Sequence, residues 1–146
     1  MYEHGVYITD RTEQLLLFSA KGPWNDETMF RGVKELSQHI SLLDQTIPWG
    51  QISCLYGESL MPPSTNEVFK KQTLIRKKLG LSAIAVIIKD SDISLTIQNQ
   101  LSKTYIDAGI EHRFMQSPEQ GIDWVQSMNI DFDPDYARRF FLANAL

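Results

Sequence analysis

The chain has 146 residues, 42% of them hydrophobic and 22% charged, with a formal net charge of −4. This composition fits a folded globular chain and excludes disordered, collagen-like and membrane-embedded classes, and the acidic balance gives no global attraction to nucleic acid or anionic lipid. Cys54 stands alone, so no intrachain disulfide can form, which accords with a cytoplasmic setting.

The start, "MYEHGVYITD", lacks a basic segment followed by an apolar run, so no secretory leader is expected. The longest apolar run, 83–88, is too short to span a membrane. Val6 to Ile8 and Leu15 to Ala20 carry strand-type side chains around "DRTE", which predicts a hairpin. Asn25 suits the cap of a helix, with Asp26 and Glu27 in its first turn. Met29, Phe30, Val33, Leu36, Ile40 and Leu43 follow at helical spacing and predict one apolar face. Ile52, Cys54 and Tyr56 alternate with Gln51, Ser53 and Leu55, which predicts a strand.

"MPPSTNEVF" opens the next helix. Ser64 and Glu67 match the S-x-x-E capping box, and Val68, Phe69, Ile75 and Leu79 continue the helix to Gly80. "LSAIAVIIKD" is apolar on both faces, as expected of a parallel strand covered on both sides. Ile93, Ile97, Leu101 and Tyr105 define a third helix, ended by Gly109. "IEHRFMQ" predicts a short strand, and Ser117, Pro118 and Gln120 mark the start of a fourth helix. Asp133 and Pro134 open a last helix in the tail.

Alternation of this kind predicts an α/β fold: a mostly parallel sheet of about five strands with an N-terminal hairpin, helical cover and a C-terminal tail helix. The expected division is an α/β domain over residues 1–128, complete by Trp124, and a helical tail over 129–146.

The element order, with "KGPWND", "IPWGQISCLYGES" and "YIDAGIEHRFMQSPEQGIDWV", resembles the STAS family of sulphate-transporter and anti-sigma-factor-antagonist domains over about residues 5–127. The likeness is to its bacterial branch of small stand-alone, sporulation-antagonist-like proteins. It implies a STAS-like fold, a non-catalytic regulatory or binding role, and a lipophilic ligand or membrane contact. In anti-sigma-factor antagonists a D-S-x-G motif opens the second helix and its serine is phosphorylated. Here that region reads "LMPPSTNEV", with Ser64 in place but without the aspartate or the glycine.

Several residues are candidates for function. Ser64 and Thr65 are the candidate phospho-acceptor or anion site, since a helix N-terminus favours added negative charge. A helix cap contributing about 1 kcal/mol is the plainer role for Ser64. Trp24 and Trp49, each beside a proline near a strand end, together with Tyr56 and Phe69, are candidate cleft linings or simply packing. Lys70, Lys71, Arg76, Lys77 and Lys78 form a candidate basic surface, read either as a solvated face or as a contact for an acidic partner or anionic lipid. Nucleic acid is not expected, because no binding motif accompanies the patch. His4, His39 and His112 fit no metal-ligand spacing, and "DFDPD" lacks the glycine and glutamate of a calcium loop. No metal, cofactor or catalytic signature is expected.

The expected function is therefore a non-catalytic, cytoplasmic regulatory or binding domain that acts through a protein partner or a small lipophilic ligand. The alternatives are a phospho-switch antagonist using Ser64 or Thr65, and an enzyme with an unrecognised site. For the tail, Tyr136, Phe140 and Phe141 are expected to bury against their own domain, a second copy forming a homodimer, or a membrane surface.

Overall fold

In a computed structural model, which describes residues 5–146, the order is β1 (Val6–Thr12), β2 (Leu15–Lys21), α1 (Asp26–Ile40), β3 (Trp49–Tyr56), α2 (Pro63–Lys78), β4 (Leu81–Lys89), α3 (Ser94–Ala108), β5 (Glu111–Met115), α4 (Pro118–Ser127) and α5 (Pro134–Ala143). His4 and the first residues of the leader reading lie outside the described residues. The sheet order is β1-β2-β3-β4-β5, with β1 antiparallel to β2 and every other pair parallel. The predicted α/β architecture is thus present. The hairpin turn differs from expectation. Asp10, Arg11 and Thr12 pair with Leu17, Leu16 and Leu15, so the loop is Glu13–Gln14 rather than "DRTE". Glu13 takes φ of 50°, and its carbonyl accepts from Arg11 Nη1 at 2.9 Å.

Sequential strand order has a consequence for the layers. Three crossovers of one hand, each moving one strand along, put α1, α2 and α3 on the same face. Leu36, Phe69, Ile97 and Leu101 accordingly share a core with Leu16, Leu55, Ile84 and Val86. On the opposite face Ile122 and Val125 of α4 pack on Ile52, Ala83, Ala85 and Ile87. Gly121 allows a close approach there, since a Cβ on it would lie 3.3 Å from the Cβ of Ala85.

The second face corrects the expectation that the core is complete by Trp124. Helix α4 covers β3 and β4, while α5 covers β1 and β2. Ile130, Phe132, Ala137, Phe140 and Phe141 are all buried and join Leu15 and Leu17 in one cluster. Two bonds also tie the tail backbone to the sheet: Gln14 N donates to Asp131 O at 2.9 Å, and the Ser19 side-chain Oγ donates to Asn144 O at 2.6 Å. Phe140 and Phe141 therefore bury against their own sheet. Tyr136 does not bury: it stays 37% exposed and donates to Asp10 Oδ2 at 2.6 Å.

Candidate functional site

Side chains alternate across a strand, so Gln51 and Ser53 of β3 both face the layer of α1–α3. They are 3% and 4% exposed, in the middle strand of the sheet. Opposite them runs α2, whose buried residues are Thr65, Phe69, Thr73 and Arg76. Spacings of four, four and three residues make these one stripe. The stripe is polar at three of its four positions, unlike an ordinary core-facing stripe.

Arg76 is the largest departure from expectation. It was expected on the basic surface with Lys70, Lys71, Lys77 and Lys78, yet it is only 8% exposed. The lysines lie on the outer side of α2, and Lys70 pairs with Glu67 at 3.2 Å. The helical period explains the difference, because position 76 falls three residues after Thr73 on the inward stripe. The guanidinium Nη1 donates to Gln51 Oε1 at 3.0 Å, and Nη2 makes a longer 3.4 Å contact with Thr73 Oγ1. Thr73 spends its own hydrogen on Phe69 O at 2.8 Å. Gln51 Nε2 then donates to Ser53 Oγ at 2.9 Å. The guanidinium carbon also lies 5.9 Å from the Phe69 ring centroid, a cation–π contact. Burial pushes the Arg76 pKa down, and burial pushes the Tyr105 phenol up to about 12.

Arg76, Gln51 and Ser53 of this cluster, with Thr28 and Ser59, form the polar wall of a cavity of about 80 Å³ between the sheet and α1–α3, and Thr73 supports Arg76 from behind that wall. One water needs about 10–15 Å³, so the space corresponds to about five to eight waters. The remaining lining is largely apolar, including Trp24, Met29, Leu36 and Met61. Phe18 and Trp24 are stacked at 6.4 Å, and Phe69 meets Tyr105 edge-on at 5.8 Å. Gly32 of α1 also lines the cavity, and a Cβ there would meet nothing within 4 Å. Beside it, between α1 and α2, lies a second hollow of about 170 Å³ that shares Val33, Leu36 and Arg76.

Of the expected cleft residues, Trp24 and Phe69 line this cavity and Trp49 and Tyr56 do not. Trp49 is fully buried at the start of β3, where its Nε1 donates to Leu79 O at 2.8 Å. Tyr56 shares strand parity with Ile52 and Cys54, so it faces the opposite core. Cys54 sits in that core too, and burial pushes its thiol pKa up, which suits a packing role.

Ser64 is not the helix cap. Pro62 occupies that position and Pro63 the first turn, with no side-chain cap bond; the fixed proline φ sets the entry instead. Ser64 Oγ and Thr65 Oγ1 both donate to Asp26 Oδ1, at 3.0 and 2.6 Å. Asp26 opens α1, so one carboxylate ties the first turns of α1 and α2. Ser64 is exposed and Thr65 is 1% exposed, so only Ser64 is accessible as a phospho-acceptor.

Sequence reasoning missed Gln51, Ser53, Thr73 and Tyr105 as site residues. The available signal was two polar residues in alternation within the otherwise apolar "WGQISCLY", and a threonine–arginine stripe on α2. Among the described residues no group of three or more His, Cys, Asp or Glu could hold a metal ion. Comparison of the chain with protein-family models, with curated proteins and with solved structures finds no match.

Proposed function

We propose that this chain is a non-catalytic, STAS-like binding domain that regulates through a small, lipophilic ligand held between the sheet and α1–α3. The observation that carries the reading is the cavity itself: apolar and aromatic walls with a few convergent polar groups, the usual make-up of a small-molecule site. Among its described lining residues there is no carboxylate, histidine or cysteine to act as a base on the Ser53 and Ser59 hydroxyls, which favours binding over chemistry. The resemblance to stand-alone antagonist domains supports a cytoplasmic setting and a protein partner that reads the bound state. Among the described residues no helix is long and apolar enough to cross a membrane.

Native mass spectrometry of protein from its own host tests this. A bound small molecule is expected on the wild type and is expected to be lost from Gly32→Leu, whose side chain enters the cavity. No bound mass, or the same mass on the variant, contradicts the reading.

A second reading is favoured by one observation. The exposed Ser64 hydroxyl bonds Asp26, so a phosphate there would repel that carboxylate and loosen α1 from α2. A phosphate mass on Ser64 in the same spectra is the support this switch needs.

A further inference from the structure

We infer that the ligand carries one carboxylate on an apolar body, and that Arg76 holds the carboxylate. This rests on the cavity reading above and names its ligand class. A guanidinium keeps its charge at any ordinary pH and offers five N–H donors and no acceptor. Here its hydrogen bonds go to two neutral oxygens, on Gln51 and Thr73. No carboxylate among the described residues forms an ion pair with it. Buried charges are ordinarily paired, because leaving water costs far more than neutral dipoles return.

The rest of the cluster has the same deficit. Gln51 must turn its oxygen to Arg76, since arginine only donates, so its amide NH₂ faces Ser53. That leaves a second amide hydrogen on Gln51, the Ser53 hydroxyl hydrogen and the remaining guanidinium hydrogens without a negative acceptor. A donor-rich, singly positive wall selects an acceptor-rich, singly negative group. A carboxylate matches both the charge and the planar fork of the guanidinium. A phosphate dianion would leave one charge uncompensated among apolar walls. The body must be apolar because Trp24, Met29, Leu36 and Phe69 surround the remaining space.

Calorimetric titration of the full chain with octanoate and with 1-octanol tests the assignment, since the probes share a chain and differ in the charged head. Wild type is expected to bind octanoate at least about tenfold more tightly than octanol, as a charge-assisted bond warrants. In Arg76→Met the preference is expected to vanish while octanol affinity stays. Equal affinities on wild type overturn the role of Arg76 and leave the cavity reading standing. A preference that survives in Arg76→Met also overturns it. Binding of neither probe overturns both. The wild-type pair decides alone should the variant not fold.

Discussion

Arg76 Nη1 donates to Gln51 Oε1 at 3.0 Å, joining an inward-facing cation on α2 to the middle strand of the sheet. The bond satisfies one amide oxygen and does not neutralise the charge. An arginine in this position is therefore expected to cost stability in the unliganded protein.

Arg76→Met checks that cost. Replacing a buried charge with an apolar residue of similar volume is often neutral or stabilising by about 1–4 kcal/mol. Against it, Gln51 loses its donor, worth about 1–3 kcal/mol for a buried acceptor left unpaired. Urea unfolding of Arg76→Met is expected at an unchanged or higher midpoint, and higher still for Arg76→Met with Gln51→Leu. A clear loss in the double variant would make Arg76 a structural residue.

The joint between α1 and α2 gives an ordering of two mutants. Thr65 is 1% exposed and bonds Asp26 at 2.6 Å, whereas Ser64 is exposed and bonds the same oxygen at 3.0 Å. Thr65→Ala is expected to lower stability by about 1–3 kcal/mol and Ser64→Ala by less than about 0.5 kcal/mol. Denaturant titrations giving the reverse order would restore Ser64 as the cap.

Tail removal is expected to unfold the protein. Phe140 and Phe141 are 6% and 4% exposed over β1 and β2, and a buried Phe→Ala change typically costs about 3–5 kcal/mol. Truncation after Met128 removes both, along with Ile130, Phe132 and Ala137, and bares Leu15 and Leu17. Circular dichroism and light scattering should show loss of cooperative unfolding or association. A truncated chain that stays folded and keeps its oligomeric state would make the tail a separable appendage.

Alkaline pH should weaken the fold through Tyr105. Burial holds its phenol neutral up to about 12, against an ordinary value of 10.0. The unfolded chain gives up this proton first. The contribution is therefore complete below about pH 10 and is lost as pH rises through about pH 12. Stability measured across that window should fall less steeply in Tyr105→Phe than in wild type. Equal slopes would show that Tyr105 is not held neutral by burial.

Much of the scaffold was legible in the sequence. Asn25, Ser117 and Asp133 cap their helices as their positions imply, and Gly109 ends α3 in the left-handed region. Such signals are local, so a single sequence carries them. The site was less legible because it depends on which way residues face. Helix α2 carries exposed Leu74 and Ile75 and a buried Arg76, so two of its apolar residues point away from the true inward stripe, which keeps only Phe69. Phe30 likewise fits the apolar spacing of α1 yet is 57% exposed, because the stripe that packs runs through Thr28, Gly32, Leu36 and Ile40. Ser64 shows the same limit. Its capping spacing was present, but Pro62 caps the helix two residues before Ser64 and Pro63 opens its first turn.

Methionine methyl resonances test the cavity most directly. Met29 and Met61 line it, while Met115 and Met128 pack against the core on the opposite face and serve as internal controls. Titration of methyl-labelled protein with octanoate is expected to shift the Met29 and Met61 signals saturably and to leave Met115 and Met128 in place. Unmoved Met29 and Met61 signals, or equal shifts at all four, would contradict a ligand site between the sheet and α1–α3.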